Sequence, residues 1–113
     1  MSETLFSKII NREIPADIVY EDDLCLAFRD IEPQAPVHIL LIPKKSIVKM
    51  SEATETDQSL LGHLLLKAGD IAKEQGYADT FRLVVNNGNE AGQTVFHLHI
   101  HILAGRKFSW PAG

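Results

Sequence analysis

The segment Phe96-His97-Leu98-His99-Ile100-His101-Ile102 alternates apolar and histidine side chains. Successive side chains of a β-strand point to opposite faces of the sheet, so the alternation predicts a strand from Val95 to Leu103. One face would present three imidazoles, and the other would pack through Phe96, Leu98, Ile100 and Ile102. The chain has only 5 histidines, so three at alternating positions indicate a chemical site more strongly than a strand face merely solvated by histidine.

A metal site and a covalent catalyst are the two functional interpretations of these histidines. In an extended strand the Cα atoms of His97 and His101 lie about 13 Å apart, at about 3.3 Å per residue. A Zn–N bond is only about 2 Å long, so the three rings reach one ion only if the strand is bulged. No cysteine cluster or neighbouring carboxylate completes a coordination shell in the segment. We therefore expect no metal and no other cofactor.

A nucleophilic histidine fits the pattern better. An imidazole with the ordinary pKa near 6.5 is largely neutral at pH 7 and attacks without a strong base. Attack at phosphorus also needs hydrogen-bond donors where negative charge develops. The polar loop from Asn86 to Thr94 directly precedes the histidines, and its two glycines would let backbone N–H groups approach an anion. Loop and histidines are therefore expected to form one phosphoryl-transfer site.

The other periodicities predict an α+β fold on a mainly antiparallel sheet. Helical spacing predicts a short helix over residues 3–11 and one long helix from Thr56 to Gln75, with Gly76 as the terminating glycine. Short β-prone runs predict a meander followed, after the long helix, by another strand. These runs are Ile18 to Tyr20, Leu24 to Arg29, Val37 to Ile42 and Phe81 to Val85.

Composition narrows the class of protein. A length of 113 residues predicts a single domain over 1–113, and the net charge of −4 argues against a nucleic-acid partner. The start of the chain does not resemble a signal peptide, and no stretch reaches the roughly 20 apolar residues of a membrane span. We therefore expect a cytoplasmic protein without a membrane partner. Cys25, the single cysteine, is expected to be a core residue.

Segments throughout the chain resemble the histidine-triad (HIT) superfamily. His97 to Leu103 is similar to its signature, in which apolar residues alternate with and follow three histidines. Four further segments resemble the Hint branch, the histidine-triad nucleotide-binding proteins: Phe6 to Ala16, Asp30 to His38, Ile42 to Lys45, and Ser109 to Pro111. The resemblance implies a HIT-like fold, with a five-stranded, mainly antiparallel sheet, one long helix and one short helix.

The resemblance implies catalytic roles for four histidines. His99 matches the nucleophile that becomes nucleotidylated. His101 and His38 match the positions that orient the nucleophile and relay protons. His97 matches the first triad position, which supports the site.

It also implies the nucleotide contacts. Asp30 matches the acid that binds the ribose hydroxyls, although an aspartate here could simply form a turn. The purine slot would contain Phe6, Ile9, Phe28 and Ile31, which could equally be ordinary core. Phosphate and leaving-group contacts are expected from Asn86, Gly92, Gln93 and Thr94. Hint sequences more often have serine at the last of these positions, and threonine keeps the hydroxyl.

The implied activity is hydrolysis of adenosine 5′-phosphoramidates and acyl or aminoacyl adenylates through a nucleotidyl-histidine. Two alternatives stay open, a dinucleoside polyphosphate hydrolase and a non-catalytic nucleotide-binding regulator. The resemblance also implies a homodimer. Leu60 and Leu66 widen the apolar face of the predicted long helix, which is consistent with a second subunit covering part of it.

Overall fold

Five strands form one antiparallel sheet in the order β1-β2-β3-β5-β4 in the computed structural model, which describes residues 3–113. Met1 and Ser2 of the predicted domain lie outside the described residues. The strands are β1 (Ile18–Glu21), β2 (Cys25–Arg29), β3 (Val37–Pro43), β4 (Arg82–Val84) and β5 (Ile100–Ala104). The predicted meander is confirmed, since β1 pairs with β2 and β2 with β3.

Within residues 3–113, two α-helices complete the fold and confirm the predicted α+β class. The short helix α1 (Leu5–Ile10) begins at Thr4, whose side chain accepts a hydrogen bond from the Ser7 N–H. The long helix α2 (Gln58–Glu74) starts two residues later than predicted, because a 3₁₀ turn occupies Glu55–Asp57. It ends where Gly76 adopts a φ of 93°, a conformation that glycine tolerates without steric cost. None of the described helices is long and apolar enough to cross a membrane.

The sheet has an apolar cluster on each face, because successive side chains of β3 point to opposite faces. Ile39 and Leu41 point toward α2, where the main core also contains Leu64, Ala68, Ile100 and Ile102. Leu40 and Ile42 point to the opposite face and pack in a smaller cluster with Phe6, Ile9, Leu26 and Phe28. Helix α1 therefore covers the face of the sheet that also carries His38 and His101.

The predicted strand from Val95 to Leu103 is too long. Pairing begins only at Ile100, because the preceding residues bond to the segment after β3 instead, with the Leu98 N–H donating to the Ile47 carbonyl at 2.7 Å. The predicted alternation nevertheless holds for Leu98, Ile100 and Ile102, which are buried in the main core. Phe96 does not follow it, since its side chain is 40% exposed.

The exposed leucines of α2 are not the pair that the sequence predicted, Leu60 and Leu66. Leu60 packs partly against the main core, whereas Leu66 is 74% exposed and Leu65 is 57% exposed. The uncovered apolar surface of this helix is therefore formed by Leu65 and Leu66, and we refer to it as the leucine pair. Cys25 is fully buried, as predicted, and burial raises the pKa of its thiol to about 12.

Candidate active site

A cavity of about 680 Å³ lies on the α1 side of the sheet, beside the histidine segment. This volume is within the range of small-molecule sites. Its polar lining residues include His99, His101, Asp30 and Thr94. Its apolar lining residues include Leu5, Phe6, Ile9, Ile14, Pro15, Phe28, Leu40 and Val95. Such a cavity combines an apolar wall that can hold a flat ring with polar groups that can contact a phosphate.

His99 is held by its own segment of main chain. Its Nδ1–H donates to the carbonyl oxygen of His97 at 2.8 Å, which fixes the proton on Nδ1 and leaves a lone pair on Nε2. The edge of the ring contacts Phe6, with the ring centroids 4.9 Å apart. His99 is 6% exposed and lines the cavity. The arrangement therefore places a ring with one oriented, unprotonated nitrogen in the cavity wall.

His38 and His101 form a directly bonded pair across two neighbouring strands. In the β3–β5 register His101 lies opposite Leu40, so His38 is its diagonal neighbour on the same face. The distance between His38 Nε2 and His101 Nδ1 is 2.9 Å. The rings of His99 and His101 are also neighbours, with centroids 5.0 Å apart. The structure therefore brings the two predicted relay histidines beside the predicted nucleophile.

His97 is buried behind the site. Its Nε2–H donates to the Pro43 carbonyl oxygen at 2.7 Å, and only 1% of the residue is exposed. Because β3 ends at Pro43, this bond anchors the chain just before His99 to the end of β3. His97 does not line the cavity, so its position fits the supporting role that the resemblance implies.

Burial keeps the histidines neutral. It lowers the pKa of His97 and of His99 below the usual value, because the protonated rings would lose hydration. Burial, together with the neighbouring His99 and His38 rings, lowers the pKa of His101 to about 4. Burial also lowers the pKa of His38, against the opposing effect of the Asp30 carboxylate. At neutral pH the site therefore contains uncharged imidazoles suited to nucleophilic attack and hydrogen bonding.

Asp30 both forms a turn and faces the cavity. Its Oδ1 accepts a hydrogen bond from the Glu32 N–H at 2.8 Å, which is the turn-forming role considered above. Its Oδ2 lies 3.5 Å from His38 Nε2, and the residue lines the cavity. The Asp30 carboxylate therefore holds this turn and also forms part of the cavity wall.

The loop before the histidines is braced internally. Gln93 is 1% exposed, and its side chain accepts from the Gly88 N–H and donates to the carbonyls of Val48 and Val95. The backbone N–H of Gln93 donates to Gly88, and that of Gly92 donates to Asn89. These two predicted phosphate contacts already have acceptors within the loop, so their observed role is to shape it. Thr94, at the end of the loop, lines the cavity.

The Asn86 side chain lies next to Gly92 of this loop, since a Cβ built on Gly92 would be 3.6 Å from Asn86 Nδ2. Gly92 also has a positive φ of 102°, a conformation that suits glycine. Both residues therefore contribute to the shape of the loop. Neither residue lines the cavity.

Three of the four residues predicted for a purine slot are buried. Phe6, Ile9 and Phe28 line the cavity and also belong to the smaller core cluster, so they are core residues, and their contact with a purine stays a prediction. Ile31 is 93% exposed and lies at the cavity rim. Sequence reasoning missed Leu40, although the period of two from His38 places it on the same face. It also missed the Pro43 carbonyl, because no sequence pattern marks a single main-chain acceptor.

Two clusters in the described part of the chain have metal-binding side chains within 4.8 Å of one another. In the first, Asp30, His38 and His101, the facing ring nitrogens are bonded to each other, so an ion would have to break that bond. The second is Asp22, Cys25 and His63. There the Asp22 carboxylate accepts from Tyr20, from His63 and from two backbone N–H groups. We assign a metal to neither cluster.

Comparisons with known proteins identify the family. The family model described as the HIT domain matches residues 11–108. An uncharacterised HIT-like protein of Synechocystis is 69% identical over 98% of this chain and 97% of its own length. The adenylylsulfatase HINT1 of Arabidopsis thaliana is 50% identical over 99% of this chain and 78% of its own length.

Solved structures give the same result. A HIT family hydrolase from Legionella pneumophila has a TM-score of 0.96 and 46% identity, covering 98% of this chain and 100% of its own. A histidine triad nucleotide-binding protein from Candida albicans has a TM-score of 0.83 and 28% identity, covering 98% and 85% of the two chains. These findings confirm the resemblance and the HIT-like fold inferred from it. With its histidine segment, sheet and loop in the arrangement described, this chain belongs to the histidine-triad (HIT) family.

Proposed function

We propose that this chain is a nucleotide hydrolase, and specifically a purine nucleoside phosphoramidase that forms a covalent nucleotidyl-His99. The observation that carries the proposal is the hydrogen bond from His99 Nδ1–H to the His97 carbonyl. It leaves Nε2 as an oriented nucleophile beside a cavity whose lining includes an apolar wall and a carboxylate. The hydrolase named among the solved structures and the adenylylsulfatase named among the relatives support the general class.

In the first step, His99 Nε2 forms a bond to the α-phosphorus and the bond from phosphorus to the leaving nitrogen breaks. The electron pair of that bond stays on the nitrogen, which takes a proton because an unprotonated amide ion is too basic to leave. His101 is the neighbouring histidine on the cavity wall, and its Nε2 is the nitrogen not turned toward His38. The N–H at that atom donates a hydrogen bond to the departing nitrogen, and the proton that the nitrogen keeps is taken up from solvent, because a neutral imidazole that gave up its only proton would become an imidazolate.

In the second step, water attacks the same phosphorus and the bond to His99 breaks. The proton that the water releases returns to solvent, which offsets the proton taken up in the first step, restores the starting state and balances the cycle. His38 and His97 stay in the buried layer and hold the two reacting rings. We assign Asp30 and the apolar wall of the cavity to the ribose and the purine, and the Thr94 hydroxyl to the leaving-group side, since all of these residues line the cavity. No step requires a metal.

Adenylyl sulfate is a second candidate substrate, favoured by the name of the Arabidopsis relative. It contains the same adenylyl half, and its sulfate leaves without needing a proton. A dinucleoside polyphosphate would instead bring several negative charges. The charged residues on the cavity wall include Asp17, Asp30 and Glu32, and Arg29 lies 3.4 Å from Asp17. This balance disfavours a polyphosphate leaving group.

Turnover of adenosine 5′-monophosphoramidate by the purified chain tests the proposal. Wild-type protein should release adenosine monophosphate and ammonia. His99→Ala and the closer-sized His99→Gln should bind adenosine monophosphate but lose nearly all turnover, because neither offers a nucleophilic nitrogen. A wild-type protein that binds the nucleotide without turnover would support the regulator. Substantial activity of both variants would remove His99 from the nucleophile position.

A further inference from the structure

The His38–His101 pair continues beyond the cavity to a main-chain amide. The backbone N–H of Gln34 donates to His38 Nδ1 at 3.0 Å, and His38 Nε2 lies 2.9 Å from His101 Nδ1. On the far side of the same residue, Arg106 Nε donates to the Gln34 carbonyl oxygen at 2.8 Å. Gln34 is therefore held between the end of β5 and the buried pair.

A peptide N–H can only donate, whereas each imidazole nitrogen can either donate or accept. While the Gln34 bond is present, His38 Nδ1 must carry a lone pair. The proton of neutral His38 is then on Nε2, where it is donated to His101 Nδ1. Neutral His101 must in turn carry its own proton on Nε2, the nitrogen left for the cavity side.

We infer that the Gln34 peptide amide sets the polarity of the His38–His101 pair, so that His101 always presents a protonated Nε2 to the substrate. Gln34 is thus a positioning residue that acts through its main chain and not through its side chain. The inference rests on the proposed function only for its kinetic consequence, since the proton positions are a property of the protein alone.

The network also limits how many protons the pair holds. With Gln34 N–H bonded to His38, a third proton would place N–H groups face to face between the rings, so it could be added only by breaking a hydrogen bond. The charged groups beside the pair are the Asp30 carboxylate, 3.5 Å from His38 Nε2, and the ring of His99, if protonated, beside His101. The lowered pKa of each histidine agrees with a pair that stays neutral.

Arg106 holds the Gln34 peptide in place. Its guanidinium lies 4.3 Å from the Phe108 ring centroid and also donates to the Lys107 carbonyl, so the Arg106 side chain is itself restrained. The backbone at Gly105 also packs closely against Pro36, since a Cβ added at Gly105 would lie 2.8 Å from Pro36 Cβ. These contacts hold the Gln34 turn at the distance that its hydrogen bond to His38 requires.

The experiment removes the Gln34 N–H, with a control for the loss of the Gln34 side chain. Gln34→Pro lacks the donor, Gln34→Ala keeps it and serves as the matched control, and an amide-to-ester replacement at position 34 removes only the N–H if the proline variant does not fold. Long-range ¹H–¹⁵N spectra of histidine-labelled, ligand-free protein distinguish protonated ring nitrogens from those with a lone pair. Turnover of adenosine 5′-monophosphoramidate is measured on the same samples.

Wild type and Gln34→Ala should show lone pairs on Nδ1 of His38 and His101, with the protons on Nε2. Gln34→Pro or the ester should show a mixture of tautomers, and kcat should fall at least about tenfold with KM little changed, because only part of the protein presents the proton. A wild-type spectrum with the proton on His38 Nδ1, or unchanged tautomers without the Gln34 N–H, would overturn the inference. If wild type shows the expected tautomers but no turnover, the proposed function fails while the positioning role stands.

Discussion

The ring of His99 and the main-chain carbonyl of His97 are joined by a 2.8 Å hydrogen bond, so the candidate nucleophile is oriented by a residue only two positions away. His97 is in turn bonded through its own ring to the Pro43 carbonyl. The orientation of His99 therefore depends on the end of β3. A preorganised nucleophile of this kind needs only a correctly placed phosphorus to react.

The pH dependence of turnover should reflect the buried nucleophile. Protonation of His99 removes the lone pair on Nε2, and burial lowers the pKa of this ring. The reactive neutral form therefore persists to lower pH than in a free imidazole. We expect kcat/KM for adenosine 5′-monophosphoramidate to be level near neutral pH and to decline only below about pH 6.5, the ordinary histidine value. A decline that begins above that value in the wild-type profile would contradict the neutral site.

Activity should survive removal of metal ions. The two ring nitrogens that would face an ion at Asp30, His38 and His101 are already bonded to each other. Prolonged treatment with a chelator, followed by metal analysis of the protein, should leave kcat/KM for the phosphoramidate unchanged. Loss of activity that zinc alone restores would instead establish a metal-dependent enzyme.

The chain should form a dimer through a surface that includes the leucine pair. Leu66 is 74% exposed, and an uncovered apolar helix face favours association. Light scattering should give about 25 kDa, twice the 12.6 kDa of one chain. Leu66→Glu should shift this mass toward the monomer, whereas Thr56→Glu, which adds the same charge at an exposed position outside the helix, should not. A wild-type monomer at every concentration would exclude the predicted homodimer.

The preferred leaving group should be an amine. The cavity wall includes three carboxylates, which would repel the added negative charges of a polyphosphate. The Arg29 side chain on the same wall already contacts Asp17 and Gln75, so it is not free to bind several phosphates. We expect kcat/KM for the phosphoramidate to exceed that for diadenosine triphosphate or tetraphosphate by at least about a hundredfold, or about 2.7 kcal/mol. Equal or reversed values, measured on one preparation, would favour the dinucleotide hydrolase.

The sequence predicted those parts of the molecule that depend on local periodicity. The alternation of His97, His99 and His101 placed the three rings on one side, although the paired strand begins only at Ile100. The helical spacing located α2 to within two residues at each end. Both patterns follow from side-chain direction along regular backbone.

Contacts made by main-chain groups could not be predicted. Pro43 and Gln34 contribute a carbonyl and an amide to the site, and any residue except proline supplies the same N–H. Gln93 looked like a phosphate contact because it lies in the loop, yet its side chain braces that loop from within. Whether Leu66 or Leu60 faces solvent was likewise decided by how α2 packs on the sheet.

Capture of the covalent intermediate tests the central claim most directly. The chain is mixed with excess adenosine 5′-monophosphoramidate, quenched in alkaline denaturant within one turnover, and digested for tandem mass spectrometry. The quench is alkaline because the phosphorus–imidazole bond is labile in acid. The account predicts one adenylyl group on the peptide that contains His99, located on that residue, and none in His99→Ala. Turnover that proceeds with no adduct, or an adduct on another residue, would contradict it.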